Sequence, residues 1–224
     1  MSKTALVIVA HPDDEVIGVG GTILKLQKEY GYEVRVEFMT TSKQNKKWDQ
    51  AAEVSEILGV EIDRPHFSGT GEAYTPLELD GELITDLAGR VEGMIEVFEP
   101  ELIFTHHIGD LNQDHRAVGE AVLIATRPFP GQPVKKVYTF DTASSTEWSF
   151  GEFPKFEPNV FIDITEYFNT KLKALMMYEE EIRDLEFPHP RSIEALTANS
   201  KLKGSVVGVH YAETFRMVRS INAL

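Results

Sequence analysis

The residues best suited to chemistry lie in the segment from His11 to Glu15, which reads His-Pro-Asp-Asp-Glu. His11 and Asp14 are three residues apart across a proline, so a tight turn could direct both side chains at one point. An imidazole nitrogen and a carboxylate oxygen suit zinc or a similar divalent ion. Asp13 is then a spare carboxylate, able to take a proton from a water on that ion. The plain alternative is a turn whose acids complement a helix dipole.

A second polar cluster extends from His106 to Arg116 and contains three of the seven histidines. Histidines at the ends of strands can also bond backbone carbonyls without any metal. Two histidines and one carboxylate, however, would leave an open coordination position for water, the pattern of catalytic zinc sites. A histidine of this cluster that met the first cluster would complete such a set.

The elements that must position both clusters are predicted strands. Ala5 to Ala10 is apolar throughout, as in a strand buried on both faces, and Leu102 to Phe104 opens the fourth strand. Strands alternating with amphipathic helices predict an α/β fold, a Rossmann-like, doubly wound, mostly parallel sheet with helices on both faces. In the common order 3-2-1-4-5-6, strands 1 and 4 are neighbours, and the loops after them face each other. The topology therefore predicts that the clusters meet.

Three glycines, Gly18, Gly20 and Gly21, follow the first strand, and we predict a helix from about Gly21. Their spacing hints at dinucleotide binding. Ile23 occupies the third position of G-x-G-x-x-G, however, and the acidic segment before the glycines would repel a pyrophosphate. Nicotinamide binding is therefore disfavoured.

The second half is less regular. We predict a long helix from Thr165 to Leu185, with Thr165 as its N-cap, and a closing element from Phe215 to Ile221. No repeat, linker or low-complexity tract interrupts the chain, so residues 1–224 are expected to form a single domain.

Composition excludes several classes of protein. The chain has 224 residues, no cysteine and a formal net charge of -14. Disulfides, thiolate ligands and a cysteine nucleophile are thereby excluded. The acidic balance argues against nucleic acid as a partner, and no stretch approaches the roughly 20 apolar residues of a membrane span. We expect a cytoplasmic protein that acts on a small molecule.

These residues resemble the LmbE-like, or PIG-L, family of zinc-dependent N-deacetylases. The family signature A-H-P-D-D-E is present from Ala10 to Glu15. The second motif, H-x-x-H followed by Arg, is present in part from Asn112 to Arg116. Segments 144–148, 188–192 and 211–215 look like those of a bacterial subgroup, so the likeness covers the whole chain.

The resemblance implies that His11, Asp14 and His115 bind Zn²⁺ and that Asp13 is the general base. Fe²⁺ could occupy the same ligands. Family members remove acetyl groups from N-acetylglucosamine units of lipids, thiol-sugar precursors, oligosaccharides and antibiotic precursors. Several bacterial members are hexamers, so the resemblance implies a homo-oligomer.

One departure from the family pattern concerns Asn112, which stands where the motif has its first histidine. Asparagine can donate a hydrogen bond to an oxyanion but cannot deliver a proton at neutral pH. Either Asp13 shuttles the proton to the leaving nitrogen or another acid does, with candidates His106, His107, His189 and His210. Asp114 is expected to orient an imidazole or Arg116.

Further residues are candidates for substrate contact, because aromatic faces suit sugar rings and arginine suits hydroxyls or phosphate. They are Trp48, His106, Arg116, Trp148, Arg191 and His210.

The sequence therefore predicts a metal-dependent hydrolase that removes an acetyl group from an N-acetylated sugar. Two alternatives stay open. One is a metal-dependent amidase or esterase with a non-sugar substrate. The other is a non-catalytic α/β domain that binds a metabolite without metal.

Overall fold

The computed structural model describes residues 3–40, 45–63 and 83–221, and these form one seven-stranded sheet with helices on both faces. The strands are β1 Lys3–Val9, β2 Tyr32–Phe38, β3 Glu61–Asp63, β4 Leu102–His106, β5 Lys136–Phe140, β6 Val160–Asp163 and β7 Ala212–Ser220. The helices are α1 Asp14–Tyr30, α2 Asn45–Leu58, α3 Ile84–Phe98, α4 Gln113–Ala125, α5 Phe168–Leu175 and α6 Ile193–Val207.

The strand order is β3-β2-β1-β4-β5-β7-β6. β1 to β5 are parallel, and β7 runs antiparallel to both β5 and β6. The prediction of a mostly parallel, Rossmann-like α/β sheet is confirmed. β1 lies near the centre, and its residues from Ala5 to Val9 are fully buried because helices cover both faces.

Helix α1 begins at Asp14, so the prediction of a start near Gly21 was wrong. The turn after β1 is so short that the acidic residues themselves form the first helical turn. Gly31 ends α1 with φ 67°, a left-handed conformation that glycine adopts without steric cost.

The glycines of α1 serve close packing. A Cβ atom at Gly18 would lie 2.3 Å from the ring of Phe140, and one at Gly21 would lie 2.7 Å from Ile164. Both distances are far below van der Waals contact. The glycines therefore let α1 approach the far half of the sheet, which explains them without a dinucleotide.

The predicted long helix from Thr165 to Leu185 was wrong. α5 is shorter, and one turn of π-helix, Glu179–Arg183, follows a break at Tyr178. Tyr178 is fully buried, and its hydroxyl donates a hydrogen bond to Glu15. This tertiary contact requires the chain to turn there and overrides the local preference for helix.

The predicted closing element from Phe215 to Ile221 corresponds to β7, which carries a buried carboxylate. Glu213 accepts hydrogen bonds from the backbone N–H groups of Gly21 and Thr22 at 2.8 and 2.7 Å. Lys171 of α5 donates to Glu213 at 2.6 Å and to the carbonyl of Ile17 at 2.9 Å. This Glu213–Lys171 clamp ties α1 to the second half of the chain.

Within the described ranges, every helix is too short or too polar to cross a membrane.

Candidate metal centre and active site

The site is built where β1 and β4 end side by side. The two strands pair in parallel, so the turn after β1 and the loop from β4 to α4 lie at the same edge of the sheet. The backbone N–H of Ala10 donates to Nε2 of His106 at 3.0 Å and joins the two strand ends directly. The predicted meeting of the two clusters is therefore observed.

Three side chains converge at this edge: His11, Asp14 and His115. Nδ1 of His11, Oδ2 of Asp14 and Nε2 of His115 are each 3.3 Å from the other two. Zinc bound tetrahedrally at 2.0–2.1 Å would require ligand atoms about 3.3 to 3.4 Å apart. The other oxygen of Asp14 is buried and has no hydrogen-bond partner among the described residues. The donor set therefore fits a divalent cation with one position left for water.

Each histidine of this set also contacts a carboxylate through its other ring nitrogen. Nε2 of His11 lies 2.9 Å from Oδ2 of Asp114, and Nδ1 of His115 lies 3.2 Å from Oδ1 of Asp110. Asp110 is fixed in turn by the hydroxyls of Ser145 and Thr146. Such carboxylate–histidine pairs set the orientation and basicity of metal ligands.

The electrostatics of the cluster favour a positive charge at its centre. Burial lowers the pKa of His115, but the charges of Asp14 and Asp110 outweigh it and raise the pKa to about 10. Burial also disfavours protonation of His11, yet its hydrogen bonds with Asp114 and Asp14 raise its pKa. Protons on the imidazoles thus compensate the acids, and a divalent cation would take over that role.

Asp13 precedes α1 in a strained conformation. Its φ is 118° and its ψ is -33°, outside the regions that non-glycine residues favour. Its N–H donates to Glu15 at 2.9 Å, and the other oxygen of Glu15 accepts from Tyr178 at 2.6 Å. Strain of this kind costs about 1–3 kcal/mol and persists only where surrounding contacts enforce it. Glu15 and Tyr178 supply those contacts.

Arg191 contacts this same carboxylate from a position 178 residues further along the chain. Its Nη1 donates to Oδ2 of Asp13 at 3.0 Å, and its Nε donates to the carbonyl of Ala143 at 3.0 Å. Burial raises the pKa of Asp13 to about 6, and the guanidinium opposes that rise. Oδ1 of Asp13 is buried and has no partner in the described part of the chain, so one oxygen is held and the other is available.

The hydrogen bond from Arg191 to Asp13 leads us to predict the effect of Arg191→Met. We expect kcat to fall roughly 10- to 100-fold with little change in KM, because misplacing a catalytic group by about 1 Å can cost that much. Steady-state kinetics with an N-acetylated substrate measure both constants. A raised KM with unchanged kcat would instead support the substrate contact predicted from the sequence.

His106 is a supporting residue in the structure, so the prediction of substrate contact does not fit its position. Its side chain is fully buried and stacks on His115 with ring centroids 4.0 Å apart. Because Nε2 accepts from Ala10, Nδ1 carries the hydrogen and faces the hydroxyl of Thr142. Burial, reinforced by His115, lowers the pKa of His106 to about 4. It is therefore a poor candidate for the general acid.

Asn112 is the N-cap of α4. Its side-chain oxygen accepts from the N–H of Asp114 at 2.9 Å, so its amide nitrogen is the end that can donate elsewhere. Arg116 donates to the carbonyls of Asp110 and Leu111, and its guanidinium lies over the ring of Phe153. These contacts shape the loop before α4.

The other predicted substrate contacts are scattered. Trp48 lies edge-on to Phe38 and packs against the core. Trp148 contacts His189, with ring centroids 6.1 Å apart. His210 is exposed in the turn between α6 and β7. The structure does not bring these residues together around the three candidate ligands.

The sequence analysis assigned no role to three residues that the structure places in the site. Asp110 contacts His115, Glu15 accepts a hydrogen bond from Asp13, and Tyr178 donates one to Glu15. Asp110 had a detectable signal, since it is an acid five residues before a histidine in a loop that follows a buried strand. Tyr178 had none, because only the folded chain brings it to Glu15.

The fold and these contacts define an α/β protein with a three-ligand candidate metal site and an adjacent carboxylate. A model of the family described as GlcNAc-PI de-N-acetylase, PIG-L, matches residues 6–126. The match spans more than half of the chain, which therefore belongs to the PIG-L family.

Several proteins are similar to this chain along most of its length. The diacetylchitobiose deacetylase of Thermococcus kodakarensis is 29% identical, over 98% of this chain and 84% of that protein. A probable N-acetyl-alpha-D-glucosaminyl L-malate deacetylase 2 of Bacillus cereus is 25% identical, over 78% and 82%. The structure of GalB, a 4-carboxy-2-hydroxymuconate hydratase from Pseudomonas putida KT2440, matches with a TM-score of 0.69 and 23% identity, over 99% of both chains. Because that protein is a hydratase, the shared fold alone does not decide the reaction.

Proposed function

We propose that this protein is a zinc-dependent N-deacetylase that removes the acetyl group from an N-acetylated sugar. The observation that carries the proposal is the equilateral arrangement of His11, Asp14 and His115. Asp13 lies beside them with a strained backbone, and Arg191 donates a hydrogen bond to one of its two carboxylate oxygens. Membership of the PIG-L family and the similarity to the diacetylchitobiose deacetylase support the acetamido group as the target.

A zinc ion held by these ligands would polarise a water molecule and the acetamide carbonyl. The free oxygen of Asp13 accepts the proton of the attacking water, while Arg191 keeps the other oxygen in place. The amide nitrogen of Asn112 is suited to donate to the oxyanion, because its oxygen is occupied by the helix cap.

The departing amine also needs a proton. Because burial holds the pKa of His106 near 4, that histidine is unsuited to deliver it. Asp13 carries the proton it has just received, so it returns that proton to the leaving nitrogen. One carboxylate then serves as base and acid in turn.

Replacing a candidate ligand tests the metal site independently of turnover. His115→Ala should lose most of its tightly bound metal, because only two protein ligands would remain. Metal content after dialysis, by elemental mass spectrometry, should be about one ion per wild-type chain and far less in the variant. His210→Ala is the matched control, since His210 is exposed in a turn and should retain the metal. Equal metal content in both variants would contradict the assigned site.

The activity itself is tested by acetate and amine release from a panel of N-acetylated sugars, with and without a chelator. Turnover that is lost on chelation and restored by Zn²⁺ supports the proposal, and Fe²⁺ is tried in parallel. Release of acetate only from non-sugar amides or esters would favour the amidase or esterase alternative. Binding of a metabolite by a metal-free, inactive protein would favour the non-catalytic alternative.

A further inference from the structure

A pocket of about 460 Å³ lies beside the second half of α1, and β2, β4, β5 and β6 supply the rest of its lining. Its volume lies within the range of small-ligand pockets. We propose that this pocket binds a small planar aromatic carboxylate, with the ring packed against Tyr138 and the carboxylate paired with Lys136. The proposal does not depend on the deacetylation proposed above.

The pocket is separate from the candidate metal centre. α1 begins at Asp14, a candidate metal ligand, but contributes to the pocket only from Thr22 to Tyr30. At a rise of about 1.5 Å per residue, these positions lie roughly 12 to 24 Å from Asp14 along the helix axis. A ligand in the pocket would therefore not reach the three candidate metal ligands, and its binding would be a second function of the same chain.

The sheet presents an aromatic surface to the pocket. β4 and β5 pair with Leu102 opposite Lys136 and Phe104 opposite Tyr138, and all four residues line the pocket. The rings of Phe104 and Tyr138 are stacked, with centroids 5.3 Å apart and an interplanar angle of 19°. Phe104 is buried, whereas Tyr138 is only half-buried. An aromatic ring in the pocket would bury the rest of Tyr138 in the offset or edge-on geometry that such rings prefer.

One buried hydroxyl of the lining lacks a partner. Thr22 is fully buried, and its side-chain oxygen makes no hydrogen bond to any residue that the structure describes. Its backbone N–H, by contrast, donates to Glu213 at 2.7 Å. A buried hydroxyl without a partner is unfavourable, and a polar substituent on the ligand ring would satisfy it.

The charges of the lining favour an anion. Lys136 is half-buried and forms no ion pair within the described part of the chain. The other lysine, Lys25, donates to the backbone carbonyl of Asp163 at 3.0 Å and pairs with Glu29 at 3.5 Å. The carboxylate of Asp163 already accepts hydrogen bonds from Thr165. Lys136 is therefore the charge that a ligand would match, and a carboxylate forms a strong, charge-assisted hydrogen bond with an ammonium group.

The probe 4-hydroxybenzoate combines the ring, a hydroxyl and the carboxylate. Calorimetric titration of the metal-loaded protein should show saturable binding of one molecule per chain. Lys136→Met should raise Kd roughly tenfold, as expected for loss of a hydrogen bond to a charged group, and neutral 4-hydroxybenzyl alcohol should bind wild type similarly weakly. Lys135→Met is the matched control, since the Nζ of Lys135 donates to the carbonyl of Gln132 and Lys135 does not line the pocket. No saturable binding, or equal Kd values in the two variants, would overturn the proposal.

A carboxylate is also a zinc ligand, so a second measurement locates the probe. Ile162 lines the pocket, whereas Ile108 lies in the loop between β4 and α4, on the side of the metal centre. In methyl NMR spectra, 4-hydroxybenzoate should shift the δ1-methyl signal of Ile162 and leave that of Ile108 in place, both in the metal-loaded protein and after chelation. A shift of Ile108 alone, or loss of binding on chelation, would place the probe on the metal and overturn the proposal.

Discussion

Asp13→Asn should lower kcat by about 10²- to 10⁴-fold, the contribution expected of a positioned general base. The amide keeps the size of the side chain and can still bond Arg191, but it cannot accept a proton from water. Metal content should stay at the wild-type value, because Asp13 lies beside the three candidate ligands and is not one of them.

The kinetics are measured together with metal analysis and a thermal melt, since the substitution leaves Arg191 without its ionic partner. Asp163→Asn is a suitable control, because that acid lies at the end of β6, where its carboxylate accepts hydrogen bonds from Thr165 and its backbone carbonyl accepts one from Lys25. Near-normal turnover in Asp13→Asn would show that another group activates the water. Loss of metal would show that Asp13 belongs to the ligand set.

Glu213→Ala should destabilise the fold by about 3–5 kcal/mol, the range for breaking a buried ion pair by removal of one partner. Lys171 would keep a buried charge without its carboxylate, and two N–H groups of α1 would lose their acceptor. Chemical denaturation monitored by circular dichroism measures the change in free energy of unfolding.

A more exposed pair provides the comparison. Glu179→Ala removes an acid that pairs with Lys46 and Arg183 at the protein surface, so a much smaller loss of stability than in Glu213→Ala is expected. The double variant Lys171→Met, Glu213→Ala should be less destabilised than the sum of its single variants, because no unpaired charge remains. A cost in Glu213→Ala no larger than in Glu179→Ala would mean that the clamp contributes little to the fold.

Much of the site could be predicted because it depends on topology. The strand-terminal positions of His11 and Asp14 follow from an apolar segment directly before them, and β1 and β4 are neighbours in the common strand order. His115 lies in the first turn of α4, which places it opposite the loop that carries His11 and Asp14. Local pattern and strand order together were sufficient for this half of the site.

The rest could not be predicted because it depends on contacts between distant segments. The contact of Arg191 with Asp13 was missed, because no sequence spacing connects the two residues. The helix expected up to Leu185 breaks because Tyr178 turns inward towards Glu15. Glu213 gave no usable signal, because it lies just before the predicted closing element and its partners in α1 lie about 190 residues away.

β7 follows the other described strands and helices along the chain, yet it lies inside the sheet between β5 and β6. While Ala212–Ser220 is still within the ribosome, β5 and β6 each retain an open edge, and α1 lacks the carboxylate that fastens it. The nascent chain is therefore exposed to misassembly until β7 has left the ribosome. Added chaperone should therefore raise the yield of native protein.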